Sequence, residues 1–351
     1  MSELRQDPVT GTWTVIAPHR ADRPRDLVRD PDEAGDAANC PFCAGNERET
    51  PPTRSEASLP GEFGWTVRVV ENRYPALEVP EDSDGADDLD APPPYRATGG
   101  FGVHELIVET PRHGEGLADY PAEHLALLAD TYATRLAGWR EDSRLAAALL
   151  FRNWGRFAGA SLSHAHTQLV ALPRVPDALV RELGNFSQAA SGSGRCPLCE
   201  ALSADDEGGR AVFDDGIVAV HSPYAAPIPY SMRIAPRGCS LSLADAGAEE
   251  RASFGAAMGA AARALRGAFG DVAFNLFVHV APYTVHRIQG LPFHWHAEVT
   301  PHTFQHAGFE WGSGTHINVI DPDDAARVLR DGLAVSGDGS VASSAAQGRV
   351  R

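Results

Sequence analysis

Two histidines and a glutamine at alternate positions form the strongest chemical pattern in the chain. His164, His166 and Gln168 stand in the hexapeptide Ser-His-Ala-His-Thr-Gln, between a glycine-rich turn at 155–159 and an apolar run at 169–172. Strand side chains alternate in direction, so the three are predicted to share one face of a strand. An imidazole can attack a phosphoryl group, and a neutral amide can hydrogen-bond its oxygens. The pattern indicates phosphorus chemistry; the alternative is a pair of core histidines, because short motifs often match by chance.

The five cysteines form two Cys-x-x-Cys pairs and one single residue, Cys239. The pairs, Cys40 with Cys43 and Cys196 with Cys199, are typical of zinc ligands in a cytosolic chain, where disulfides are rare. A redox-active pair is the alternative, but it requires a thioredoxin-like βαβ pattern that the sequence lacks. A closed zinc site takes four ligands, so each pair needs two more.

The histidine row resembles the His-x-His-x-Gln motif of the galactose-1-phosphate uridylyltransferase family, a branch of the histidine-triad superfamily. The resemblance implies that His166 is the nucleophile, which forms a covalent nucleotidyl-histidine, and that His164 is a zinc ligand. It also implies that Gln168 and Ser161 contact the phosphates. The first zinc site that it implies consists of Cys40, Cys43, His113 and His164.

The resemblance further implies a set of substrate-binding residues, namely Arg20, Arg23, Asn72, Asn153, Glu310 and His316. The planar guanidinium of arginine suits phosphate oxygens, although a solvated turn is the alternative for the arginine pair. The chain departs from the family at three positions. Arg73 replaces an aspartate, Phe304 stands near a lysine position, and His316 replaces the glutamine that accompanies galactose recognition.

The second half of the chain repeats the first in the same order. The segment 103–113 parallels 229–239, so that Cys239 takes the place of His113, and each segment precedes a helical pattern, at 121–140 and 245–269. The sequence His-Trp-His-Ala-Glu, which begins at His294, then stands opposite the histidine row.

This repeat predicts a second metal site of Cys196, Cys199, Cys239 and His294. We expect it to be structural, because Glu298 replaces the glutamine and a carboxylate repels phosphate. Zinc is predicted at one or both sites. Iron is an open alternative at the second, with His279 and His296 as further ligands.

The predicted fold is α+β, with two histidine-triad-like halves related by internal duplication, each an antiparallel sheet with a packed helix. The catalytic half is predicted at 1–182 and the C-terminal half at 196–333, with 183–195 between them. A tail rich in serine, alanine and glycine, 334–351, and the acidic, proline-rich segment 78–94 are predicted to be disordered.

Charge and hydropathy exclude several classes of protein. The net charge is −17 and all 30 cationic side chains are arginine, which excludes a P-loop lysine and argues against nonspecific nucleic-acid binding. The chain contains no run of 18 apolar residues, and its N-terminus lacks the pattern of a signal peptide. A cytoplasmic protein without membrane contact is predicted.

The predicted function is transfer of a nucleoside monophosphate between sugar 1-phosphates, from UDP-glucose to galactose 1-phosphate, by a homodimer. The segment 157–164 and the two-zinc pattern also resemble ADP-sugar phosphorylases of the same family, in which inorganic phosphate is the acceptor. Alternatives of another class are a catalytically inactive, zinc-stapled nucleotide-binding protein and a zinc-ribbon nucleic-acid module, which the net charge disfavours.

Overall fold

The computed structural model describes residues 2–21, 37–79, 88–287 and 292–337. The strands are β1 (Glu3–Gln6), β2 (Trp13–Ile16), β3 (Thr53–Ala57), β4 (Val67–Glu71), β5 (Asp88–Leu89), β6 (Ala97–Thr98), β7 (Val103–Val108), β8 (Ala147–Trp154), β9 (His166–Leu172), β10 (Ala211–Asp214), β11 (Val218–His221), β12 (Met232–Pro236), β13 (Phe274–His279), β14 (His296–Pro301) and β15 (His316–Asn318). The α-helices are α1 (Ala122–Arg140), α2 (Asp177–Gly192), α3 (Pro197–Glu207), α4 (Ala248–Phe269), α5 (Tyr283–Arg287), α6 (Gly308–Ser313) and α7 (Pro322–Gly337).

One antiparallel sheet of ten strands joins the two halves, in the order β3-β4-β7-β9-β8-β13-β14-β12-β11-β10. The halves meet where β8 pairs with β13, from Trp154 opposite Phe274 to Leu150 opposite Val278. Each half supplies five strands, and the outward order is the same in both. The antiparallel sheets with packed helices confirm the predicted α+β class. The matching order agrees with internal duplication, which stays an inference from the sequence repeat.

Two long helices cover one face of this sheet. The helices predicted at 121–140 and 245–269 are confirmed as α1 and α4, which pack against each other, and α7 packs on α4. Leu128, Tyr132 and Phe254 lie fully buried between the helices and the apolar face of the strands. Among the described residues, no helix combines the length and the apolar composition that crossing a bilayer requires.

The opposite face of the sheet carries His166 and Gln168. The segment at 37–50 and a cluster around Phe42, Trp65 and Val70 cover it beside β4 and β7. The helices α2 and α3 cover it on the other side, around Phe186 and Leu198. Concave surface is left between these two covers.

The N-terminal hairpin departs from the predicted division of the chain at 182. The strands β1 and β2 pair with each other, and β2 pairs in parallel with β15 near the other end of the chain. The Asp7 carboxylate forms an ion pair with Arg233 of β12, with 3.1 Å between Oδ2 and Nη1. Residues at the beginning of the chain therefore pack within the second half.

The predicted connection is largely helical, and the beginning of the tail is more ordered than expected. Most of the connection at 183–195 is helical, since α2 ends at Gly192. The helix α7 extends to Gly337, four residues into the predicted tail, because the Ser336 hydroxyl donates to the Arg263 carbonyl of α4 at 3.0 Å. The remainder of the tail and residues 80–87 of the acidic segment lie outside the described residues.

Two glycines in the packed helices predict opposite effects of the same substitution. In α4, a Cβ on Gly255 would collide with the Leu125 carbonyl of α1, whereas a Cβ on Gly138 of α1 would meet open space. We expect Gly255→Ala to lower the free energy of unfolding by about 1–3 kcal/mol through overpacking. Gly138→Ala should raise it by roughly 0.5–1 kcal/mol through helix propensity. Chemical denaturation measures both, and equal effects would contradict the packing described.

Candidate active site and metal centres

The histidine row straddles the beginning of β9. His166 is the first residue of that strand, and Gln168 points to the same face two residues later. His164 lies in the turn before the strand, so the prediction of one continuous strand row was wrong at this residue. The backbone leaves the strand here because the His164 ring turns toward Cys40, Cys43 and His113. The Nε2 of this ring lies 2.8 Å from the Thr110 carbonyl oxygen.

The His166 ring is held in one orientation. Its Nδ1 lies 2.9 Å from the His164 carbonyl oxygen, so Nδ1 carries the hydrogen and Nε2 keeps a free electron pair. The Phe42 ring packs against it, with 5.3 Å between ring centroids. Only 6% of the side chain is exposed, and this burial lowers the pKa of His166 below its usual range. The imidazole is therefore neutral near pH 7, which is the form that can act as a nucleophile.

A cavity of about 790 Å³ opens beside this ring. His166, Gln168, Ser161 and Asn72 line it, so the structure brings four of the predicted site residues together. The wall also contains Arg73, the departure from the family aspartate, whose Nη1 donates to the Glu49 carbonyl at 3.3 Å. The cavity offers neutral hydrogen-bonding groups near His166, and its wall also contains the cationic Arg73 and the carboxylates of Glu49 and Glu71.

A second cavity, of about 770 Å³, lies on the same face of the sheet. Asn153 and His316 line this cavity and not the first. Asn153 is still a neighbour of His166 on the cavity face. Arg152 of β8 pairs with Thr167 of the antiparallel strand β9, so Asn153, which follows Arg152, lies beside His166, which precedes Thr167. Its Oδ1 accepts a hydrogen bond from Asn275, at 2.7 Å.

Two other predicted substrate contacts, Arg20 and Glu310, are not brought to His166. Arg20 is exposed in a short 3₁₀ helix, Pro18–Arg20, and is not among the described residues that line either cavity. Arg23 lies outside the described residues. The buried Glu310 carboxylate caps α6 by accepting from the Ala307 N–H at 2.9 Å, because a helix leaves its first backbone donors unpaired.

The first cysteine cluster is built from three distant parts of the chain, and its members are Cys40, Cys43, His113 and His164. The Nδ1 atom of each histidine lies 3.5 Å from the Cys43 sulfur. Both Nε2 atoms are occupied elsewhere, that of His113 by the Ser163 hydroxyl at 3.1 Å. Burial and the neighbouring Cys40 raise the pKa of Cys43 to about 11, so the two thiols do not ionise together without a cation. The donor set suits a metal ion such as zinc.

The second cluster repeats this design with Cys196, Cys199, Cys239 and His294. The His294 Nδ1 lies 3.3–3.5 Å from the three sulfurs, and its Nε2 contacts the Pro236 carbonyl at 3.0 Å. Pro236 is the residue that the repeat places opposite Thr110. The hydrogen bond to Cys239 lowers the pKa of Cys196 to about 4, which favours the thiolate form that binds a metal ion. This cluster can also hold a metal ion such as zinc.

A third group of possible metal ligands contains Glu182, His279 and His296. Glu182 lies on α2 and accepts from the His279 ring at 2.7 Å. His296 is fully buried, and its Nε2 has no hydrogen-bond partner among the residues that the structure describes. The sequence predicted both histidines here but missed Glu182, since only the tertiary fold brings α2 to β13. The three ligand atoms lie within 4.8 Å of one another.

A buried polar network restrains β9 from its other face. The Arg152 Nε and the Thr167 hydroxyl each donate to Glu109 at 2.8 Å, and Tyr132 hydrogen-bonds the same hydroxyl at 2.6 Å. Arg152 and Glu109 are almost fully buried. Removing one partner of such a pair leaves an uncompensated charge, so the network holds the strand in a single register.

Comparison with known proteins places these features in one family. A family model described as "Galactose-1-phosphate uridyl transferase, N-terminal domain" matches residues 1–176. An ADP-glucose phosphorylase of Arabidopsis thaliana is 31% identical over 334 residues, which cover 94% of this chain and 92% of the relative. The chain belongs to the galactose-1-phosphate uridylyltransferase family. It is therefore an enzyme of the nucleotidyltransferase and phosphorylase class.

A uridylyltransferase and a solved structure agree with this assignment. The galactose-1-phosphate uridylyltransferase of Thermotoga maritima is 26% identical over 345 residues, covering 94% of this chain and 98% of its own. The crystal structure of an ADP-glucose phosphorylase from Arabidopsis thaliana with bound ADP-glucose superimposes with a TM-score of 0.82 at 29% identity. The superposition covers 94% of this chain and 99% of the phosphorylase chain. Both activities are thus represented among relatives of full length.

Metal analysis of two variants tests the cysteine clusters. We expect Cys43→Ala to lose the metal of the first cluster and Cys199→Ala that of the second, because three ligands bind zinc more weakly than four. Each variant should unfold at a lower temperature. Inductively coupled plasma mass spectrometry of the purified proteins, with zinc and iron counted separately, measures the loss.

The two variants serve as controls for each other, since each should keep the metal of the intact cluster. A Cys199→Ala protein with an unchanged metal content would show that the second cluster is not a metal site.

Proposed function

We propose that the protein is a nucleotide-sugar phosphorylase that works through a covalent nucleotidyl-histidine on His166, with ADP-glucose as donor and inorganic phosphate as acceptor. The observation that carries this proposal is the hydrogen bond from the His166 Nδ1 to the His164 carbonyl, which leaves Nε2 as the nucleophilic atom. Gln168, Ser161 and Asn72 line the same cavity and supply neutral hydrogen-bonding groups for phosphate oxygens.

In the first half-reaction, the electron pair of the His166 Nε2 attacks the α-phosphorus of the nucleotide sugar. The bond from that phosphorus to the bridging oxygen breaks, and the sugar 1-phosphate leaves with the electron pair. Charge on the nonbridging oxygens is shared by the Gln168 amide and the Ser161 hydroxyl. The His164 carbonyl stabilises the cationic ring that forms, through the Nδ1 hydrogen bond.

In the second half-reaction, an oxygen of inorganic phosphate attacks the same phosphorus. The bond from Nε2 to phosphorus breaks, its electron pair returns to His166, and a nucleoside diphosphate leaves. The two half-reactions use one site and one nucleophile, so ping-pong kinetics are expected. The metals take no part in these steps; the first one, bound by His164 two residues before the nucleophile, would hold the turn in place.

Sequence likeness favours the phosphorylase over the uridylyltransferase. The ADP-glucose phosphorylase is the more similar of the two full-length relatives, at 31% against 26% identity. Phe304 and His316 replace the family lysine and glutamine that accompany sugar phosphate and galactose recognition. Transfer from UDP-glucose to galactose 1-phosphate is the second candidate, and the Thermotoga maritima relative supports it.

A pulse and chase experiment separates these activities. The protein is incubated with ADP-glucose or UDP-glucose carrying ³²P at the α-phosphate, and we expect acid-labile label on His166 from ADP-glucose. A chase with inorganic phosphate should release labelled ADP. A chase with galactose 1-phosphate should release little, because the second candidate alone requires that acceptor.

His166→Ala is the control and should take up no label while keeping its metals. If folded protein with both clusters metallated takes up no label from any nucleotide sugar, the proposal is wrong. That result would favour a catalytically inactive binding protein. Label from UDP-glucose that only galactose 1-phosphate removes would establish the uridylyltransferase instead.

We also propose that the predicted homodimer completes the site. In α6, Trp311 is 79% exposed and Phe309 is half exposed, and Trp311 lines the second cavity. In the family that the chain resembles, this segment is often contributed by the other subunit of a dimer. Such a dimer would bring Glu310 and His316 near the partner's His166. Analytical ultracentrifugation should find a dimer that Trp311→Ala weakens about tenfold or more, since buried tryptophans dominate interfaces. A wild-type monomer at micromolar concentration would refute the dimer.

A further inference from the structure

A chain of hydrogen bonds behind the first cavity ends on Gln168. The imidazole of His104, on the neighbouring strand β7, lies between the Ala76 backbone N–H and the Gln168 side chain. The Ala76 nitrogen is 3.1 Å from Nδ1, and the Gln168 Oε1 is 2.8 Å from Nε2. His104 is not among the described residues that line the cavity.

The backbone donor determines every proton in this chain. The Ala76 N–H can only donate, so the Nδ1 of a neutral His104 is the acceptor and Nε2 carries the hydrogen. That hydrogen must then go to an acceptor, which requires the oxygen of the Gln168 amide to face the ring. The flipped amide would oppose two donors. An amide that could otherwise adopt either orientation is therefore held in one.

We propose that His104 is a positioning residue that keeps the amide NH₂ of Gln168 available to the phosphate oxygens. A phosphate offers only acceptors, so an amide presenting its oxygen would repel it. His104 does not contact the substrate itself. This inference rests on the proposed function and deepens it by assigning the orientation of the contact beside the nucleophile.

Asn72 extends the same arrangement. Its Nδ2 lies 3.1 Å from the His104 Nε2, and its Oδ1 accepts from the Tyr74 N–H at 2.9 Å. The Nδ2 is also 3.5 Å from the His104 Nδ1, so the Asn72 NH₂ lies beside the ring and not in line with the Nε2 hydrogen, which goes to Gln168. Two amides in one cavity wall thus offer donors, and the His104 ring lies between them. A site built to receive oxyanions requires this polarity.

The test is a double-mutant cycle on the first half-reaction. The rate of labelling of His166 by ADP-glucose is measured in single turnovers of the metallated full-length protein. We expect His104→Leu to slow labelling by about tenfold or more, up to the roughly 10²–10³-fold cost of losing one aligned donor in an active site. His104→Gln, whose amide can donate to the Gln168 Oε1, should restore most of the rate. Gln168→Ala should be as slow with His104→Leu as without it.

Three results would overturn the inference. These are wild-type labelling rates in His104→Leu, losses that multiply in the double variant, and a slow His104→Gln protein. If the wild type itself takes up no label, the proposed function fails and this inference fails with it. A labelled wild type without coupling overturns only the role of His104.

A measurement on the wild type covers the case in which His104→Leu does not fold. The ¹⁵N chemical shifts of the His104 ring should report hydrogen on Nε2 near pH 7, and a hydrogen on Nδ1 would contradict the assignment.

Discussion

The geometry of the site depends on His164, which makes three different contacts. Its Nδ1 faces the sulfurs of the first cluster, its Nε2 contacts the Thr110 carbonyl, and its own carbonyl accepts from the His166 Nδ1. Few residues could move here without moving the His166 ring, because that ring, the Thr110 carbonyl and the cysteine sulfurs all contact His164. The orientation of the reactive nitrogen is thereby set before a substrate arrives, which reduces the reorganisation needed during reaction.

The second half shows how little separates a reactive centre from a structural one. His294 and His296 repeat the same contacts, with the His296 Nδ1 at 3.1 Å from the His294 carbonyl. Here, however, the ring faces His279 and is fully enclosed, and Glu298 pairs with Arg233 at 2.7 Å. A substrate cannot reach this nitrogen, and the glutamine that would receive a phosphate is absent. Access and the neighbouring amide therefore distinguish the two halves more than histidine geometry does.

Local patterns carried much of the prediction. The Cys-x-x-Cys spacing identified two ligands of each cluster, the family resemblance added His113 and His164 to the first, and the repeat of His113 as Cys239 then predicted the second. Glu182 and His104 carry no such pattern. Each acquires its role from a partner more than 60 residues away, so only the fold reveals it. The pairing of β2 with β15 was missed for the same reason, since nothing in either short strand specifies so distant a neighbour.

The seam between β8 and β13 has a consequence for cooperativity. Because one sheet runs through both halves and α1 packs on α4 across them, neither half has a core of its own to unfold around. The chain should behave as a single cooperative unit in spite of its internal repeat. The second cysteine cluster then contributes to the free energy that holds His166 on the opposite side of the seam.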